Sequence, residues 1–101
     1  LPIIFEYLGI IIQFYSNEHE PIHVHGIKNR RQCKAEFILL EGKIVEIRIS
    51  PIKGYLPLKN RDLQNFKAFI EQYADKIIQK WVEYFVYHKK VEVERISRRI
   101  K

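Results

Sequence analysis

The chain has a single cysteine, Cys33, among 101 residues, so it cannot close an internal disulfide and offers no cysteine pair with zinc-finger spacing. Its longest apolar run, Tyr7 to Ile12, is interrupted by Gly9 and falls far short of the roughly 20 residues that cross a bilayer as a helix. The opening Leu1-Pro2-Ile3-Ile4-Phe5-Glu6 has no basic region ahead of its apolar residues and is broken by Glu6, unlike a secretory signal. Internal repeats, low-complexity tracts and linkers are missing. So are the H-E-x-x-H, G-x-G-x-x-G, Walker A and G-x-S-x-G motifs, and nothing around Cys33 supports a nucleophilic role. These absences set aside disulfide-framed, membrane-spanning and several enzyme classes. A reducing cytoplasmic setting is the expectation.

What is present is the material of one folded domain spanning residues 1–101. Apolar residues make up 47% of the chain, with six Phe, six Tyr and one Trp, enough for a core without disulfide or metal staples. Net charge is +6, and it is unevenly spread. Residues 1–27 carry only Glu6, Glu18 and Glu20. Lys28, Arg30, Arg31 and Lys34 follow as one basic cluster, and the segment 88–101, with Arg95, Arg98, Arg99 and Lys101, forms another. Basic patches suit a polyanionic partner through phosphate contacts and counterion release. A solvated surface that aids solubility is the alternative.

Residues 10–15, Ile-Ile-Ile-Gln-Phe-Tyr, read as a strand, with Ile3 to Leu8 as a partner hinged at Gly9. A polar turn from Ser16 to Pro21 leads into a strand over Ile22 to Gly26. Lys28-Asn29-Arg30-Arg31 reads as a hairpin tip, Cys33 to Leu40 as the next strand, and Ile44 to Ile49 as a cleanly alternating one after the turn Glu41-Gly42-Lys43. Connections this short permit hairpins and exclude crossovers. From Asn60, a plausible N-cap followed by Asp62, the period changes: Leu63, Phe66, Ile70, Tyr73, Ile77, Trp81 and Phe85 mark one helical stripe. A break near Tyr73-Ala74-Asp75 is expected, because one straight rod would be about 40 Å long. Val91 to Ile96 returns to strand alternation. The fold class is therefore α+β: an antiparallel meander of about five strands against one broken or two consecutive helices, with a C-terminal strand. The Trp81 to Phe85 cluster is expected to pack on the sheet.

The most distinctive stretch is His19-Glu20-Pro21-Ile22-His23-Val24-His25. Two residues apart on a strand, His23 and His25 project from one face. Three readings stay open. The pair can be ordinary strand residues. With His19 as a third ligand, and Glu18, Glu20 or Glu36 as a carboxylate, it can hold a divalent metal such as zinc. Or it can supply an acid and a base beside Arg30 or Arg31, as a metal-independent ribonuclease needs. His88, at the end of the helical stripe, reads as a residue that satisfies last-turn carbonyls. Lys28, Arg30, Arg31, Arg95, Arg98 and Arg99 are candidates for contact with nucleic acid or a partner, and Tyr15, Tyr55, Tyr84 and Tyr87 for stacking on bases. An edge-strand tail shielded by its charges is the plainer reading of the second cluster.

Pro2-Ile3-Ile4, Gly9-Ile10-Ile11-Ile12, and Tyr15-Ser16-Asn17-Glu18-His19-Glu20-Pro21 leading into His23-Val24-His25 resemble the bacterial family catalogued as domain of unknown function 4160. Leu63, Tyr73-Ala74-Asp75 and Lys80-Trp81-Val82-Glu83-Tyr84-Phe85 are similar to its helical half. Many members carry a second proline where this chain has Ile22, and the Val91 to Lys101 extension is shared by only some. The resemblance implies a small stand-alone protein, often encoded beside another short protein in a toxin–antitoxin-like arrangement. It would bind that neighbour and act on, or bind, nucleic acid.

Overall fold

The computed structural model describes residues 1–15 and 21–100. Of the turn expected over Ser16 to Pro21, residues 16–20, with His19, lie outside the described residues, as does Lys101. Six strands form one sheet: β1 (Ile3–Tyr7), β2 (Ile10–Phe14), β3 (Ile22–Lys28), β4 (Arg31–Leu40), β5 (Lys43–Pro51) and β6 (Glu94–Ile96), in the order β5-β4-β3-β2-β1-β6. The first five make the expected antiparallel meander. Three of its links are two-residue turns, Leu8-Gly9, Asn29-Arg30 and Glu41-Gly42, with positive φ at both positions of each. Such turns match the right-handed strand twist, and Gly9, Asn29 and Gly42 are the residues there that take up positive φ most readily. β6 adds beside β1 in parallel, Glu94 opposite Phe5 and Ile96 opposite Tyr7. A parallel neighbour needs a crossover connection, and the helix provides it.

That helix, α1 (Asn60–Trp81), is continuous. The break expected at Tyr73–Asp75 does not occur. Tyr73 stacks on Phe69 at 4.5 Å between ring centroids, and Ala74 is buried on the sheet-facing side. What reads as a breaker in the sequence is a packing contact. At 22 residues the rod is about 33 Å long, and it fits the molecule's longest dimension of 34 Å. A short π-helical turn, Val82–Val86, follows. It ends with His88 in the left-handed region and the Lys89 N–H donating to Glu83 O at 2.8 Å. The terminus is thus closed by His88's backbone conformation, in the manner of a left-handed C-cap. At the other end Lys59, not Asn60, holds the N-cap position and makes no side-chain cap bond.

Phe66, Phe69, Ile70, Ala74 and Ile77 of α1 pack on Ile4, Phe5, Tyr7, Ile10, Ile12, Phe14 and Val24 of the sheet. Full burial of side chains of this size contributes about 1.5–3 kcal/mol each. Phe85 meets Phe14 edge-on at 5.7 Å, so the Trp81 to Phe85 cluster packs against the sheet, only partly buried. The clean alternation expected of β5 fails at Val45. Ile47 pairs with Phe37 but Ile44 with Leu39, across a register shift. One extra residue, a bulge, returns Ile44 to the face of Ile47 and leaves Val45 exposed. Cys33 is buried, and its Sγ accepts the Leu58 N–H at 3.4 Å, pinning the connector that follows β5.

Candidate functional site

α1 covers one face of the sheet. On β3, Val24 and Gly26 point toward it, so alternation turns His23, His25 and Ile27 to the other face. Strand register builds the rest of that uncovered face. His25 has Gln13 opposite it on one side and Lys34 on the other, and Glu36 lies opposite His23 and Arg48. Ile11, Ile27 and Gln32 form the neighbouring row. The two histidines share a face, as their spacing predicts, with ring centroids 5.6 Å apart. His23 is 7% exposed despite its position on this face.

Each histidine has one nitrogen committed. His23 Nδ1 donates to the Pro21 carbonyl at 3.1 Å and His25 Nδ1 to Gln32 Oε1 at 3.3 Å. Nε2 is therefore the basic nitrogen of both rings, the tautomer that an oxygen acceptor at Nδ1 selects. Tyr15 lies flat on His25, 3.8 Å between centroids and 15° between planes. Nothing in the spacing of the two residues joins them; the stack depends on β2–β3 register. Ser50 Oγ, on the strand beside Lys34, is buried without a hydrogen-bond partner among the described residues.

Burial pushes the His25 pKa below its ordinary value of 6.5; the Gln32 hydrogen bond opposes this, and the charges of His23 and Lys34 add to the lowering. The folded protein thus binds the His25 proton more weakly than the unfolded chain does. The stability this contributes is complete above about pH 6.5 and is lost as pH falls through the lowered folded value. Histidine proton NMR should show His25 titrating below 6.5, and Lys34→Gln should move the midpoint upward. A midpoint at or above 6.5 in the parent protein would contradict this account.

Among the described residues no three His, Cys, Asp or Glu side chains come together in a group able to hold a metal. His23 and His25 stand as a pair, and His19, the expected third ligand, lies outside the described residues. The basic candidates are mostly engaged within the chain. Lys28 bridges Asp62 at 3.0 Å, Arg31 donates to Pro57 O at 3.1 Å, Arg95 pairs with Glu6 at 3.0 Å, and Arg99 donates to Asn65 at 3.0 Å. Arg30 and Arg98 are exposed. Arg30 and Arg31 belong to the end of the β3–β4 hairpin, and no hydrogen bond joins either to the histidines among the described residues.

The architecture defines an α+β protein with one helix on one face of a six-stranded sheet and a histidine pair on the other. The chain belongs to the family described as Domain of unknown function (DUF4160), whose model matches residues 9–82, from the β1–β2 turn to the end of α1. Neither a curated protein nor a solved structure matches it. Among the described residues, no helix is long and apolar enough to cross a membrane.

Proposed function

We propose that the protein is a small binding module of the bacterial cytoplasm that engages a partner protein through its uncovered sheet face, as one component of a toxin–antitoxin-like pair. The observation that carries this reading is the make-up of that face. Its charges are balanced and mostly internally paired, Glu6 with Arg95, Glu36 with Lys34 and Glu46 with Arg48. Between them lie Ile11, Tyr15, Ile27 and Ile38, none fully buried. A broad, pre-ordered, charge-balanced surface with apolar and aromatic residues in its middle suits a protein contact. Co-expression with the product of the neighbouring gene tests this. The two should co-elute, and Tyr15→Ala with Ile38→Asp should weaken the complex by about tenfold or more. A complex unaffected by that variant, or no complex, defeats the reading.

The histidine geometry favours a second reading. Two imidazoles with Nδ1 committed and Nε2 basic, one held neutral by burial beside Lys34, have the make-up of an acid–base pair for phosphodiester hydrolysis. The same arrangement would give zinc two ligands. Cleavage of single-stranded RNA in chelator, lost in His25→Ala, supports the acid–base form. Stoichiometric zinc in protein purified without a histidine tag supports the metal form. Absence of both results in a folded protein removes this reading.

A further inference from the structure

The first basic cluster and Arg98-Arg99 of the second meet at one end of the molecule. β1 and β3 run toward that end and finish in the Leu8-Gly9 and Asn29-Arg30 turns. β6, parallel to β1, delivers residues 97–100 to it. Five contacts fasten the pieces together. Arg31 donates to Pro57 O and the Gln32 N–H to Leu56 O at 2.9 Å, which lays the connector against the hairpin. Lys28 bridges the hairpin to Asp62 in the first turn of α1. Arg99 reaches Asn65, and the Ile100 N–H donates to the Tyr7 hydroxyl at 2.8 Å, which docks the tail.

Arg30, Lys53, Lys59, Arg61, Arg98 and Arg99 are all exposed at this pole. Asp62, the acidic residue of its first helical turn, is already paired with Lys28. The charge here is unbalanced, in contrast to the paired charges of the histidine face. Tyr55 and Leu56, in the same connector, are 52% and 63% exposed among the cations. Cations whose acidic neighbour is already paired, with an exposed aromatic ring between them, match the chemistry of a phosphate backbone whose bases are free to stack. An anionic membrane would satisfy the charge but gives no role to a ring that stacks on bases.

We infer that this pole, formed by the β3–β4 turn, the connector, the start of α1 and the C-terminal tail, binds single-stranded nucleic acid through its phosphates. It is a separate surface from the histidine face and does not depend on what that face does. The test is fluorescence anisotropy of the full chain with a labelled mixed-sequence single-stranded RNA dodecamer, across a salt series. Engagement of four to six phosphates predicts a log–log salt slope of roughly −3 to −4. Lys53→Glu/Arg61→Glu/Arg98→Glu should weaken binding by about 100-fold or more at low salt. Lys43→Glu/Lys89→Glu/Lys90→Glu changes net charge by the same amount at the β4–β5 turn and beyond the helix C-terminus, at the opposite end. It should keep affinity within about threefold. Thermal melts of both variants establish that they are folded. Equal loss in the two variants, undetectable binding of the parent at low salt, or tighter capture by anionic phosphatidylserine vesicles than by RNA would each overturn the inference.

Discussion

Gly26→Ala is expected to destabilise the protein by about 2 kcal/mol, and Gly26→Val to prevent stable folding. A glycine in the middle of a strand normally invites the opposite result, because alanine there gains roughly 0.5–1 kcal/mol in backbone entropy. Here a Cβ at position 26 would sit 2.5 Å from Phe66 Cε1 and 2.6 Å from Cδ1. The Phe66 ring is fully buried and cannot swing into solvent. The helix must lift or the ring must leave its rotamer, and overpacking of this kind costs typically 1–3 kcal/mol or more, which outweighs the entropic gain. The clash has one partner, so it should be relieved by trimming that partner. In a double-mutant cycle, Gly26→Ala with Phe66→Leu should be less destabilised than the sum of the two single changes, by about 1 kcal/mol or more. Denaturant melts decide the matter: a Gly26→Ala protein as stable as the parent would show that α1 does not rest on β3 as closely as described. The contact also matters for the site, because Gly26 is the neighbour of His25 and fixes the strand that carries both histidines.

Gly26 shows how far the sequence reaches. A lone glycine in a strand hints at close backbone approach, but that the approaching group is Phe66, 40 positions away, depends on tertiary packing. The strands were legible because β-branched and aromatic residues alternate with short turns between them, and the shared face of His23 and His25 follows from a period of two. Register was not legible. The Val45 bulge and the Tyr15–His25 stack both depend on how strands slide against each other. The continuity of α1 was not legible because a straight rod through Phe85 looks too long for the domain, whereas α1 stops at Trp81 and fits the 34 Å length of the molecule. In the fold, the small Ala74 is what lets the helix lie close to the sheet, while Asp75 faces solvent. The joining of the two basic clusters was beyond sequence reasoning altogether. Arg30-Arg31 and Arg98-Arg99 lie more than 60 residues apart, and a parallel β6 brings them together.

That C-terminal strand carries the second large effect. A chain ending at Val93 keeps all of the family-matched segment, residues 9–82, yet is expected to lose about 2–4 kcal/mol, or roughly 10–25 °C in Tm. Three contributions disappear together. The β1–β6 ladder goes, from Phe5–Glu94 to Tyr7–Ile96. Ile96 and Ile100, which pack partly buried on the core, are removed, and the Tyr7 hydroxyl loses the Ile100 N–H. Glu94, which sits 3.5 Å from both Lys76 and Lys80, no longer ties the sheet edge to the helix, although exposed pairs of this type add little. Against this stands the entropy recovered by freeing eight residues, which keeps the net figure below the sum of the losses. The exposed consequence is at the edge. β1 holds Ile4, Phe5 and Tyr7, all fully buried in the intact protein, and its outer side would now offer unpaired N–H and C=O groups beside apolar side chains. Edges of that kind pair with other chains, so the shortened protein should self-associate at concentrations where the full chain does not. Ile96→Asp with Ile100→Asp in the full-length chain separates the two causes. It removes the apolar packing and leaves the strand to shield β1, so it should lower Tm without promoting association. Light scattering and thermal melts on the three proteins give the answer: a shortened chain with unchanged Tm and no added association would mean that β6 covers an edge that needs no cover.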